Sequence, residues 1–179
     1  MEKITTIGLD IAKNVLQVHG VDAAGRIAIR RQLRRGEVIG FFSGLPPCLV
    51  GMEACGTSHH WAREIGALGH QVRLLPPIHV KPYVKRGKKN DAADAAGICE
   101  AVGRPHMEFV PVKSVEQQSV VMLHRVRDLL VRQRTMLINA LRGHLGEFGL
   151  VFGQGKGNFA KLVACLDGED GEALPELEI

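Results

Sequence analysis

Three strand-forming runs stand at the head of the chain with only short turns between them, and this limits the fold more than any other feature. "ITTIGLDIA" is a β-branched and aliphatic run that ends in an acid and reads as a buried strand. In "NVLQVHGVD", Val15, Gln17 and His19 alternate with Leu16 and Val18, which is the period of a second strand. Asp22 to Gly25, "DAAG", is a turn signal, and "RIAIRRQL" follows as a third strand. Strands joined in this way are most simply antiparallel.

After them the pattern changes to alternation. "GEVIGFFSGL" reads as a short helix, and "PPCLVGMEA" as a buried strand ending at Glu53. "TSHHWAREIGALGH" places Ala62, Ile65 and Leu68 at helical spacing, and "QVRLLPP" is a strand closed by Pro76 and Pro77. Asn90 opens another helix through Ala92, Ala95, Ile98 and Val102, and "MEFVPV" is a brief extended piece. The order β-β-β-α-β-α-β-α defines an α/β chain with a mixed sheet. Ser114 and Gln117 form a capping-box pattern for a long helix to about Phe148. Leu123, Val126, Leu130, Leu137 and Leu141 make its apolar stripe, interrupted by Gln133. At ~1.5 Å per residue this helix is roughly 50 Å long, more than a small domain covers, so it is expected to pack on another helix or chain. The expected organisation is a domain over 1–112, the long helix as a coiled-coil or dimerisation element over 113–150, and a Gly-rich, then acidic linker over 151–179.

Aromatics make up only 4% of the residues, so aliphatic side chains and alanine must fill the core. The net charge of +4 suits a nucleic-acid partner without requiring one. No apolar run is long enough to span a bilayer, and "MEKITTIGLD" lacks the apolar stretch of a signal peptide, which points to the cytoplasm. Cys48, Cys55, Cys99 and Cys165 are widely spaced, and the histidines show no H-x3-H spacing, so neither set predicts a zinc site.

The chemistry lies with the acids. Asp10 ends the first strand and Glu53 the fourth, while Asp91 and Asp94 share one face of a helix's first turn. Singly, each has an ordinary explanation: a strand-end acid, or an N-terminal helix acid worth about 0.3–1 kcal/mol against the macrodipole. Together they change the reading, because neighbouring strands and a helix packed across them bring all four to one end of the sheet. Crowded carboxylates raise one another's pKa, and a hard cation relieves the repulsion. Two Mg²⁺ or Mn²⁺ ions about 3.5–4 Å apart form a clamp for phosphodiester chemistry. Lys85, Arg86, Lys88 and Lys89, just before Asp91, and Lys13, just after Asp10, are then candidates to hold a nucleic-acid backbone. Arg125 and Arg132 on the long helix are further candidates, although a solvated face explains such arginines as well.

"IGLDIAKN", "GMEACGTSHHWAREIGALGHQVRLLPP" and "KKNDAADAAGI" resemble the DEDD transposase family of bacterial insertion sequences, the IS110 group. The Glu-Ala-x-Gly and Lys-x-Asp-x-x-Asp-Ala motifs occur in the family's order, and the resemblance covers about residues 4–150. It implies a RuvC-like, RNase H-like catalytic domain whose tetrad falls on Asp10, Glu53, Asp91 and Asp94. It also implies DNA and a noncoding guide (bridge) RNA as partners, and homo-oligomer contacts through the long helix. Asn90 stands where the family often has Thr, and either caps a helix. The family's second domain, with a serine nucleophile, has no counterpart in these 179 residues. Ser58 and Ser114 read as helix-cap residues, so the chain is expected to be a truncated product or one domain of a longer protein. Two other readings compete: a stand-alone nuclease such as a Holliday-junction resolvase, and a non-catalytic module that binds nucleic acid and dimerises. An actin-like ATPase shares "IGLD", but Ile11, Ala12 and Lys13 replace the Gly and Ser or Thr that would cradle phosphate.

Overall fold

A computed structural model describes residues 3–84 and 91–168, with Asp91 described by its backbone alone. Strands β1 (Thr6–Ile11), β2 (Val15–Val21) and β3 (Ile27–Arg34) form an antiparallel meander. The turn between β2 and β3 is built by Asp22. Its Oδ1 accepts from the amides of Ala24 (2.8 Å) and Arg26 (2.9 Å), and its Oδ2 accepts from Arg26 Nε at 2.9 Å. The three hydrogen bonds to Asp22 hold its carboxyl below the ordinary range. Strands β4 (Leu49–Glu53) and β5 (Gln71–Leu75) then add in parallel beside β1. The sheet order β3-β2-β1-β4-β5, with helices on both faces, is the RNase H-like fold.

The two faces have different jobs, because alternate residues of a strand point to opposite sides. Ile7, Leu9, Leu16, Val18, Leu33, Val50 and Met52 face helices α1 (Val38–Ser43) and α2 (Ser58–Ala67), where they meet Phe42, Trp61 and Ile65. Gly8 and Gly51 point the other way, toward α4 (Asp91–Val102). A Cβ on Gly8 would strike the Ala95 carbonyl and the Cys99 backbone, and one on Gly51 would lie 2.7 Å from Val102 Cβ. Helix α4 therefore rests on the bare backbone of the two central strands, and Ile98, Ala101 and Val102 form a second core with Leu75 and Val80.

The extended piece after α4 bridges Leu74 through Val110. It is then tied to α2: Lys113 N donates to His59 Nδ1 at 3.1 Å, and Arg63 Nη1 donates to the Lys113 carbonyl at 2.6 Å. The short helix α3 (Pro77–Val80) and a following 3-10 turn occupy residues where the sequence shows only strand-ending prolines. Pro77 at the first helical position accounts for α3, since its missing N–H has no partner to lose there.

Ser114 and Gln117 form the expected capping box. Ser114 N donates to Gln117 Oε1 at 3.0 Å, and Gln117 N donates to Ser114 Oγ at 3.2 Å. Helix α5 (Val115–Glu147) follows and ends in a Schellman motif, with Gly149 at φ +79° and Leu150 N donating to the Leu145 carbonyl at 3.0 Å. The chain divides into compact units at 1–117 and 118–179. In the second unit Leu123, Leu130 and Leu137 are 58–66% exposed, so much of the apolar stripe faces outward. Residues 156–166 form a helix, α6 (Lys156–Leu166), in the segment that reads as linker. The glycines that suggest a linker mark its entry: Gly155 has φ +104°, and the apolar run Phe159, Leu162, Val163, Cys165 begins after it. No helix among the described residues is long and apolar enough to cross a membrane.

Candidate active site

The strand register and the side-chain alternation decide where the acids lie. Gly8 pairs with Gly51 and Leu9 with Met52, so Asp10 and Glu53 are the next positions on adjacent parallel strands. Asp10 shares the face of Gly8, and Glu53 that of Gly51, which is the face covered by α4. Both are half-buried. Asp94 is on the first turn of α4, one residue before the Ala95 carbonyl that lies over Gly8. Burial raises the Glu53 carboxyl above its ordinary range, and the negative charge of Asp94 raises it further. Asp91 is the first residue of the same helix.

Glu53 pairs across the sheet with buried Leu75. Asp10 pairs across the sheet with Gln17, and Gln17 with Gln32. Lys13 is exposed in the tight β1–β2 turn, and Arg35 Nη1 donates to its carbonyl at 3.2 Å, so two cations flank the end of β1. Lys85, Arg86, Lys88 and Lys89 lie outside the described residues. Arg125 and Arg132 are exposed on α5, in the second unit. Ser58 locks the β4–α2 loop: its Oγ accepts from Cys55 N at 3.1 Å and donates to the Cys55 carbonyl at 2.9 Å. A fully buried hydroxyl held in this way is a structural pin.

Among the described residues no three His, Cys, Asp or Glu side chains gather closely enough to hold a metal. The chemistry of the donors at the β1–β4 end nevertheless suits a hard cation. They are carboxylates alone, which Mg²⁺ and Mn²⁺ prefer, and the burial and the Asp94 charge that raise Glu53 make its ionised form a cost that a bound cation offsets.

The linkage has a definite sign. Because the folded-state pKa of Glu53 is raised, its contribution to stability is fully present below about pH 4, the ordinary carboxylate range, and is lost as pH rises through the folded value. At neutral pH the ionised group is therefore a cost. Metal-free Glu53→Gln is expected to melt above the wild type at pH 7.5, with the gap closing at about pH 4. Thermal melts in a chelator at both pH values check this, and an equal gap at the two would contradict it.

The sequence singles out neither Arg30 nor Arg104. "RIAIRRQL" reads as a strand, and its alternation puts Arg30 on the same sheet face as Asp10, since Arg30 pairs with His19 and His19 with Gly8. The charge of that run was the available signal.

An RNase H-like sheet with acids at the ends of its two central strands defines the class. A family model described as a transposase, the DEDD type of the IS110 group, matches residues 7–149, and the chain belongs to that family. It is similar to the Pseudomonas aeruginosa protein named "Probable family 20 transposase", with 62% identity over 148 residues, 83% of this chain and 44% of the relative. It is also similar to the transposase for insertion sequence element IS1328 of Yersinia enterocolitica, with 43% identity over 155 residues, 87% of this chain and 46% of the relative. The transposase for insertion sequence element IS1111A of Coxiella burnetii is 44% identical over 159 residues, 89% of this chain and 43% of the relative. The chain thus spans less than half the length of these curated relatives.

Proposed function

We propose that this chain supplies the divalent-metal-dependent carboxylate site of a DEDD transposase, acting on DNA strands during transposition with a guide RNA bound. The observation that supports this is the register that puts Asp10 and Glu53 at neighbouring positions on one sheet face, where α4 delivers its first turn and the charge of Asp94 reaches Glu53. Asp10, Glu53, Asp91 and Asp94 would hold the ions. When bound, Mg²⁺ or Mn²⁺ supplies Lewis-acid stabilisation of charge on phosphodiester oxygens. The chain's own contribution is positional. β1 and β4 fix two carboxylates at one register, and α4 sets its first turn against them. Lys13 and Arg35, with Lys85, Arg86, Lys88 and Lys89, attract the phosphate backbone. The outward stripe on α5 suits a second copy of the chain, with Arg125 and Arg132 beside it for nucleic acid. The serine step that the family resemblance implies is assigned to no residue of this chain.

Mn²⁺ is expected to stabilise the wild-type chain. At a hundredfold excess over Kd the gain is about 2.7 kcal/mol, or a rise of roughly 5–10 °C in Tm. Asp10→Asn should remove most of that rise while leaving nucleic-acid binding in chelator unchanged. A wild-type melt indifferent to Mn²⁺ and Mg²⁺ would count against the reading and favour a non-catalytic module.

A further inference from the structure

Helix α4 sets one flank on the sheet and turns an adjoining flank toward the β2–β3 hairpin. Ala95, Ile98, Cys99 and Val102 are buried on the sheet. The adjoining flank carries Ala92, Ala93, Ala96 and Glu100, which belong to neither core. Between this flank and the β2–β3 hairpin runs an open groove of about 760 Å³. Its floor is His19, and its two rims each carry an exposed arginine, Arg30 on β3 and Arg104 just after α4. Tyr83 lines it as well, under the guanidinium of Arg104 at 5.9 Å from the ring centroid.

Each part has a physical consequence. Arg30 is directly opposite His19 in the register, and burial and then this positive charge push the imidazole below its ordinary pKa. The charged groups that line the groove are thus Arg30, Arg104 and Glu100. Glu100 pairs with Arg104 and neutralises it in part, leaving further N–H donors of that guanidinium for another acceptor. Ala92, Ala93 and Ala96 leave room for an occupant to approach the first turns of the helix, with the Glu100–Arg104 pair lining the groove beyond them. Arg30 also stands one step along the same sheet face from Gln32, Gln17 and Asp10.

We propose that this groove seats a single strand of nucleic acid, with phosphates on Arg30 and Arg104 and a base against Tyr83, leading toward the acids at Asp10, Glu53 and Asp94. A cation-rimmed groove with an aromatic wall is the usual means of holding a single strand irrespective of sequence. Its volume lies within the roughly 300–1,000 Å³ of small-ligand sites. The direction of the strand rests on the carboxylate reading above, whereas the binding itself does not.

The test uses the full 179-residue chain in chelator, with fluorescent 12-nucleotide single-stranded DNA and RNA and a 12-base-pair duplex, read by anisotropy across salt concentrations. The double variant Arg30→Gln/Arg104→Gln should lose about tenfold or more on single strands, and its log K against log salt slope should flatten by about 1.4, two phosphates at ~0.7 each. Duplex binding should change less than about twofold. Glu100→Gln, which frees Arg104, should tighten single-strand binding about threefold. Ala92→Glu, at an exposed position, should weaken it without touching either arginine. The DNA and RNA arms identify which strand is preferred, and tight binding of either supports the proposal. A wild type that ignores both single strands overturns it, and so does a double variant with unchanged affinity and slope or one that loses duplex binding equally. Both arginines are exposed, and a matching melt of the double variant separates lost contacts from lost fold. Because binding is read without metal, loss in the double variant beside an absent Mn²⁺ shift would sink only the catalytic reading.

Discussion

Gly8→Ala is expected to cost about 3–5 kcal/mol and to lower Tm by roughly 10 °C, a loss in the range reserved for core disruption. The added Cβ would fall on the Ala95 carbonyl oxygen and on the backbone of Cys99. These are helix backbone atoms, so no rotamer change can clear them, and α4 must lift from the sheet. Glycine inside a strand ordinarily weakens it, by about 0.5–1 kcal/mol against alanine in its loss of conformational freedom. Its presence in the central strand therefore reflects the close approach. The same lift would carry Asp94 away from Glu53, so the variant should also lose any Mn²⁺-dependent stabilisation. Urea unfolding with and without Mn²⁺ measures both effects. Gly66→Ala in α2 is the control: nothing stands within 4 Å of its added Cβ, and a small gain is expected. A Gly8→Ala protein as stable as the wild type would show that α4 does not lie on β1.

His70→Ala is expected to cost about 3–5 kcal/mol, from a lost ring and two orphaned backbone groups. Cys48 N donates to His70 Nδ1 at 3.3 Å, which makes Nδ1 the acceptor. Nε2 then carries the proton and donates to the Phe42 carbonyl at 3.0 Å. The ring also meets the Phe42 ring edge-on, with centroids 5.3 Å apart. This buried imidazole thus fastens the end of α1 to the start of β4. Alanine would leave the Cys48 amide and the Phe42 carbonyl without partners beside a void. Burial pushes the Cys48 thiol up to about 11, so it remains a weakly reactive thiol in the wild type. Denaturant melts give the stability loss. Thiol labelling gives a second reading: in the wild type the exposed Cys55 should react quickly, and in the variant Cys48 should join it. An unchanged melt with Cys48 still protected would sink this account.

Local patterns were legible because local physics makes them. Asp22 builds the hairpin turn through its own neighbours, Ser114 and Gln117 cap α5 reciprocally, and strand alternation separates Leu16 from Gln17. Helix α6 was masked by composition, since the glycines before it suggest a linker while a short apolar run beyond them suffices to make a helix. Arg30 and Arg104 were missed for a different reason. They are far apart in sequence, and nothing local couples a strand to the end of a later helix.

By itself, then, the sequence determined the strands and the main helices apart from α3 and α6, the meander at the head of the chain, and the acids at Asp10, Glu53, Asp91 and Asp94 as candidates. It did so because capping, turns and periodicity are settled within a few residues. The element order already points to β4 beside β1, as the sheet has it, but only the tertiary structure decided that α4 presses on Gly8 and Gly51 and that burial and the Asp94 charge raise Glu53. Those outcomes depend on which side chain is absent at a contact, and such facts appear only when distant segments meet.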